Sequence, residues 1–431
     1  MSDNPANSAS QPTGQVISLA DAAATRQLLE TLAKSEKGIP LPTVANAIAI
    51  LGHDPALSGL LSYNQFTDEF LIGCAPPRAD DNSPPQPGPY PRVWTDTDAI
   101  LLQAYIQRVW SPRISREVVY DAMTVVAGHA AFHPVRDWLA SLQWDGVQRL
   151  SSWLSLAFGT DVSPYHSDVG VKMLVAAVRR VRRPGVKFDH MPVLEGYQGI
   201  GKSTAIAKLF GSDWFSDNVP HDLASKDAAM SLAGMWCLEM AEIDQLMRTE
   251  VETIKAFLSR SVDRFRPPYG RAVILRPRQC IIVGTTNNAE YLRDATGNRR
   301  FWPIACRYAE VAWIDANREQ LWAEACYLDD LGEDLWLSDP DSQAASSEIQ
   351  STRMIEDAWE TKVRDWLDSR VEVTVSQVMG DCLEMMPRDQ SKAAQMRVAS
   401  ILTLNDWQRR VVRRGNTTAR VWVKKLPPEG L

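Results

Sequence analysis

The chain is 431 residues long, 45% hydrophobic and 23% charged, with a net charge of −7. That balance excludes a disordered or fibrous chain, and the length suits two or three folded domains. No apolar run approaches the ~20 residues of a membrane span, and the polar start lacks the apolar stretch of a secretory signal, so neither membrane insertion nor export is expected.

Residues 1–36 read as a leader, rich in Ser, Asn, Gln and Ala up to Arg26 and expected to be disordered, with a helical pattern from Ala22 to Ser35. Lys37-Gly38-Ile39-Pro40 breaks that pattern, and Thr43 then caps a helix through Val44, Ile48 and Leu51. Ala75 to Pro91 sets prolines among Asp80, Asp81 and Asn82 and reads as a linker or long loop. From Asp96 to Trp153 apolar residues recur at helical spacing: Leu101, Tyr105 and Val109 mark one face, Val118, Ala122, Val125 and Val126 another. Residues 37–164 are thus expected to form a mainly helical domain that packs without chemistry of its own.

Residues 165–330 alternate short β-type runs with helical stretches. Met191 to Leu194, Trp236 to Leu238 and Cys280 to Val283 are apolar and bounded by polar or turn residues, as buried parallel strands are. An acidic, Ser-rich stretch at 331–351 reads as a linker. Residues 352–431 show helices followed by an alternating end, Arg420-Val421-Trp422-Val423-Lys424, with a strand pair joined by Arg414-Gly415-Asn416, which suggests a winged-helix-like module. The cysteines Cys74, Cys237, Cys280, Cys306, Cys326 and Cys382 form no CxxC pair and read as reduced core residues rather than a zinc site or disulfide framework. His166, His190 and His221 are isolated and show no metal spacing.

The strongest motif is Gly196-Tyr197-Gln198-Gly199-Ile200-Gly201-Lys202-Ser203, between a strand ending at Glu195 and a helix starting at Thr204. Glycines let consecutive backbone N–H groups turn inward on a phosphate, and the following helix adds its positive end. Lys202 would reach the β- and γ-phosphates and the Ser203 hydroxyl would ligate Mg²⁺; a tight βα turn without a ligand is the plain alternative. The run Met235 to Glu239 ends in an acid, suited to hold the cation through water, and Glu242 can polarise an attacking water. Asp244 is the substitute for either role, and Glu242 and Asp244 could instead cap a helix. A third strand ends in Thr285-Thr286-Asn287-Asn288, where an amide can sense the γ-phosphate or simply form a turn. Arg299 and Arg300, adjacent on a turn, are candidates for an arginine finger offered to a neighbouring subunit, or for a salt bridge near Glu290.

In this order the motifs resemble the virulence-associated protein E family: the Gly196–Thr204 loop, Leu238 to Glu242, Gly284 to Asn287, Gly297 to Pro303, and upstream His133 to Leu139 and Trp144 to Leu150. The resemblance spans roughly Lys37 to Tyr327 and implies a phage- or prophage-encoded, superfamily 3-like helicase with an α/β P-loop NTPase core of AAA+ type, acting in the host cytoplasm. It implies ATP and Mg²⁺ as cofactors, Gly196 to Ser203 as the Walker A element, Glu239 and Glu242 as Walker B acids, Asn287 as sensor and Arg299 or Arg300 as finger. The expected partners are single-stranded DNA, further copies in a ring (a hexamer is expected), and a separate primase or replication protein. No acidic polymerase-type cluster precedes the core, so primer synthesis by this chain is not expected.

Between the second and third strands lies Asp263-Arg264-Phe265-Arg266-Pro267-Pro268-Tyr269-Gly270-Arg271, followed by Arg276 and Arg278. By the resemblance it is the channel hairpin, with Arg266 and Arg271 on phosphates and Tyr269 stacked on a base; the alternative is a solvated loop or pairing with acids such as Asp263. The tail gathers Arg397, Arg409, Arg410, Arg413, Arg414, Arg420, Lys424 and Lys425 against the single acid Asp406, pointing to a DNA backbone or to a partner-docking module, with Trp407 and Trp422 in its core. The expected function is an ATP-driven single-stranded DNA translocase or helicase. Its rivals are an origin-binding ATP switch or loader without unwinding and a small-molecule P-loop kinase.

Overall fold

The structure is a computed structural model and describes residues 19–77, 89–220, 222–249, 251–266, 273–292, 297–354, 358–414 and 417–425. The chain divides into two compact units, one of residues 1–143 and 230–236, the other of 144–229 and 237–431. No described helix is long and apolar enough to cross a membrane.

The first unit packs helices on a small sheet. Leu19–Thr31 is a helix, so part of the expected leader is ordered, because Leu28 and Leu32 give it an apolar edge that is buried in the core. Thr43 caps Val44–His53 by accepting from the Asn46 amide. Strands β1 (Leu61–Asn64), β2 (Glu69–Ile72), β3 (Arg92–Val93) and β4 (Ala131–Phe132) form a sheet in the order β3-β2-β1-β4, a feature absent from the helical expectation because each strand is only two to four residues long. In the helices Asp96–Val109 and Arg116–His129 the expected Leu101, Tyr105 and Ala122 are buried, and Leu102, Ile106, Val119 and Met123 widen the buried faces, whereas Val109 and Val125 are exposed. Buried Asp54 accepts from Tyr105 Oη and Trp110 Nε1, both at 2.8 Å. The loop expected at Ala75 to Pro91 lies mostly outside the described residues.

The second unit is built on a parallel sheet of β5 (Met191–Glu195), β6 (Phe215–Ser216), β7 (Cys237–Met240), β10 (Ile281–Thr286) and β11 (Phe301–Ala305), in the order β11-β5-β10-β7-β6. All residues of β5, β7 and β10 are buried, which explains their uninterrupted apolar runs. Helix Pro164–Arg182, capped by Ser163, packs on β10 and on helix Val311–Asp330, where Arg179 and Arg182 hold the buried carboxylate of Asp329. Residues 144–164, expected with the N-terminal domain, belong to this unit: the Glu324 carboxylate accepts from the Arg149 and Leu150 amides, and Phe158 O accepts from the Arg307 amide. A hairpin of β8 (Val262–Phe265) and β9 (Ile274–Pro277) stands between β7 and β10 in the chain.

The expected linker contains a helix, Pro340–Ser351, capped by Asp339. Its small polar residues are a packing face: Ser342, Ser346 and Gln350 are buried, and Gln350 Nε2 donates to Phe301 O at 2.8 Å. Further on, helices Glu360–Leu367 and Lys392–Leu404 share a core with β12 (Glu372–Val373) and Trp407, beside a sheet in the order β12-β14-β13. Here β13 is Trp407–Arg414 and β14 is Thr417–Lys424, in antiparallel register.

Candidate functional site

The phosphate loop joins β5 to helix Lys202–Phe210, a sharp exit that two glycines make possible. Gly201 sits at the helix N-cap with φ +93°, and a Cβ on Gly196 would stand 2.6 Å from Cys306 O. The Gly196 amide donates to Thr286 O at 3.2 Å, so the loop is tied at its root to the end of β10.

Three strand ends converge on this loop around a cavity of about 330 Å³ lined by Gly199, Lys202, Ser203, Glu242, Thr285 and Asn287 among others. Lys202 Nζ donates to Gly196 O at 2.6 Å, Tyr197 O at 3.0 Å and Asn287 Oδ1 at 3.2 Å. Burial draws its amine below the ordinary lysine value, while the nearby Glu239 carboxylate pulls it back up. Glu239, fully buried on β7, accepts through Oε1 from Ser203 Oγ at 2.7 Å and from Thr285 Oγ1 at 2.6 Å. Its other oxygen, Oε2, is buried and has no protein partner. A buried carboxylate with one unmatched oxygen beside a hydroxyl is an unsatisfied donor set for a hard cation. Among the described residues there is no larger cluster of His, Cys, Asp or Glu that could hold a metal.

Glu242 lies on the cavity wall with φ +49°, a left-handed conformation that costs a non-glycine residue about 1–3 kcal/mol and gathers at functional sites. Its Oε2 accepts from Gln245 Nε2 at 2.6 Å and its carbonyl from the Gln245 amide, so it also begins helix Ile243–Thr249. Asp244, the alternative acid, is committed elsewhere: it is buried and accepts from Thr286 Oγ1 and Asn288 Nδ2.

Arg299 and Arg300 do not line the phosphate-loop cavity; with Glu252 and Lys255 they border a separate one. Arg300 is half-buried, 3.6 Å from Asp189 and 3.2 Å from Ser259 Oγ, whereas Arg299 is exposed and no described residue pairs with its guanidinium. The salt bridge expected near Glu290 is therefore made to Asp189 instead, and by Arg300 alone.

In the hairpin, Arg266 follows β8 and is exposed, while Tyr269 and Arg271 lie outside the described residues. For Arg278 the alternative of pairing with Asp263 holds: it is buried, its guanidinium forks onto Asp263 at 2.7 and 2.9 Å and stacks 4.3 Å from the Phe257 ring centroid. Five of the six cysteines are buried and free, with Cys74 the exposed exception.

Two contributors escaped sequence reasoning. Thr285 was visible only as part of a polar strand end, and its tie to Glu239 needs the β7–β10 pairing. Arg353 forks onto Glu195, the residue just before the loop, from 158 positions away, and nothing local signals it.

Among solved structures the chain is similar to the apo C-terminal region of NrS-1 (305–718), with 11% identity and a TM-score of 0.43, covering 85% of this chain and 96% of that one. An A-form apo structure of the same region aligns with 14% identity and a TM-score of 0.38 over 67% of this chain and 78% of that one. No curated protein matches the sequence. The virulence-associated protein E-like domain matches residues 139–355, half of the chain and all of the phosphate-loop site, and the chain belongs to that family.

Proposed function

We propose that the protein is an Mg²⁺-dependent ATPase with a P-loop core of AAA+, superfamily 3-like type, which uses hydrolysis to move along single-stranded DNA in phage or mobile-element replication. The observation that carries this is the convergence of Lys202, Ser203, Glu239 and Asn287 at the carboxyl ends of three adjacent parallel strands, the usual place for a ligand in an open α/β sheet.

In this reading the Gly196–Thr204 backbone cradles the phosphates, and Lys202 exchanges its carbonyl partners for phosphate oxygens. Ser203 and the unmatched Oε2 of Glu239 would hold Mg²⁺, which when bound neutralises charge on the β- and γ-phosphates. Glu242 orients the attacking water from the cavity wall. Asn287 reports on the γ-phosphate through the contact it makes with Lys202.

Arg299, exposed and lining a cavity other than the one at its own chain's loop, suits a finger offered to a neighbour, which makes a ring the working assembly and a hexamer its expected size. The β8–β9 hairpin, with Arg266 at its described end, is the DNA-gripping element, and the C-terminal helices and three-stranded sheet form a winged-helix-like domain. A separate primase or other replication protein is its expected partner.

ATP turnover measured with and without single-stranded DNA, alongside the mass of the assembly, tests this directly. Stimulated turnover in an oligomer, abolished by Lys202→Ala, is expected. Turnover indifferent to that substitution would remove the site, and a monomer indifferent to DNA would remove the motor.

A further inference from the structure

Several arginines elsewhere in the protein hold carboxylates: Arg92 with Asp98, Arg149 with Asp145, Arg278 with Asp263 and Arg353 with Glu195. The C-terminal ribbon is different. From Trp407 to Lys425 the sequence has no Asp or Glu, and Arg409, Arg410, Arg413, Arg420, Lys424 and Lys425 are exposed with no ion-pair partner among the described residues.

Register sorts these cations. Trp407 lies opposite Lys424, Arg409 opposite Trp422, and Val411 opposite Arg420. Directly opposed residues share a face, and so do residues two apart on a strand. Lys424, Arg409, Arg420 and Arg413 therefore form one row that alternates between the strands, each step advancing about 7 Å along the ribbon. Val411, 68% exposed, stands within the row, while Trp407 and Trp422 anchor the base of the ribbon in the domain core.

Like charges brought together on one sheet face repel, so this row carries a standing cost that a bound polyanion would offset. Guanidinium groups fork onto phosphate oxygens, and a two-stranded β-ribbon fits the major groove of a duplex. A lipid surface suits the face less well, because Val411 is its one exposed apolar side chain among the described residues. We propose that the β13–β14 ribbon is a binding site for the phosphate backbone of duplex DNA, separate from the phosphate loop and independent of nucleotide.

The test is fluorescence anisotropy of the full chain with a short labelled duplex, without nucleotide, over a series of salt concentrations. Each phosphate contact contributes about 0.9 to the slope of log affinity against log salt. Replacing Arg409, Arg413, Arg420 and Lys424 together by Gln should weaken binding at least tenfold at low salt and flatten the slope by about 3–4. Arg420→Gln alone should flatten it by about 1, and keeps the test decisive if the fourfold variant misfolds. Arg→Lys replacements should keep the slope.

Unchanged affinity and slope in the Gln variants would overturn the site. So would a wild-type protein that ignores duplex while binding single strands or vesicles of anionic lipid. Because no nucleotide is present, loss of this site and loss of the ATPase reading are separate results.

Discussion

Arg353 forks onto Glu195 at the root of the phosphate loop, its NH2 2.9 Å from Oε2 and its Nε 3.1 Å from Oε1. Tyr291 Oη adds a third donor at 2.9 Å, and burial beside Glu195 raises its phenol well above the usual range, so it stays a neutral donor. Arg353 O in turn accepts from the Tyr291 and Leu292 amides. One ion pair thus joins the strand before the loop, the chain beyond Asn287 and the segment that leads to the C-terminal helices.

Arg353→Ala would leave the Glu195 carboxylate buried without its counter-ion, a change that costs about 3–5 kcal/mol. Urea denaturation should show a lower midpoint with an unchanged slope. Nucleotide affinity should also fall at temperatures where the variant is still folded. Pairing Arg353→Met with Glu195→Leu should recover most of the stability, since an apolar pair of similar volume often matches a buried ion pair. Full stability in the single variant would mean that the carboxylate finds water instead.

Glu239→Gln keeps the shape and the acceptor for Ser203 and Thr285 but removes the charge proposed to hold Mg²⁺. Turnover should fall about 10²-fold or more, with stability changed by no more than about 1 kcal/mol. Steady-state ATPase and thermal melting on the same preparation separate the two effects. A variant that hydrolyses normally would relegate Glu239 to a packing role.

The loop between β5 and helix Lys202–Phe210 was legible because its signal is local: glycines, lysine and serine stand within one turn, and the flanking strand and helix leave their own periodicity. Glu239 and Asn287 were legible for a related reason, since each ends an apolar run that only a buried strand explains. What escaped depends on distance or on context. The Glu195–Arg353 fork joins residues far apart in sequence, and although Asp263 was visible as a partner for an arginine, its choice of Arg278, stacked on Phe257, needs the fold. The Pro340–Ser351 helix escaped because its buried face is Ser and Gln, residue types that composition reads as solvent-facing. The strands of the first unit are too short to show alternation.

The adjacent arginines should separate by experiment. Arg300 is braced by Asp189 and Ser259, so Arg300→Ala should lower stability as well as activity. Exposed Arg299 makes no such contact among the described residues, so Arg299→Ala should leave the melting temperature within a degree or two and reduce turnover by about 10³–10⁵-fold if it is the finger. Mixing Arg299→Ala with Lys202→Ala should restore part of the activity, because some interfaces then pair an intact loop with an intact arginine. Well-formed mixed rings with no recovery would argue that the residue acts within its own chain, or not at all.

His190 gives this region a pH dependence. Its ring stacks on Trp302 at 4.4 Å and its Nδ1 lies 3.1 Å from Arg299 O, in the backbone that carries the proposed finger. Burial pushes its imidazole below the usual range; Asp189 and the hydrogen bond to Arg299 O oppose that shift, while the guanidinium charges of Arg299 and Arg300 add to it. The folded chain therefore binds the His190 proton less readily than the unfolded chain does. The stability this confers is fully present above the ordinary imidazole value and is lost as pH falls toward the lower folded value. His166, also lowered chiefly by burial, acts in the same sense. Unfolding free energy should thus decline as pH falls through and below the ordinary imidazole range. His190→Gln keeps a donor for Arg299 O but cannot titrate, so it should shallow that decline without removing the part due to His166. Denaturation curves at several pH values decide the matter: an identical decline in the variant would show that His190 does not contribute and that His166 or carboxylates elsewhere set the pH dependence.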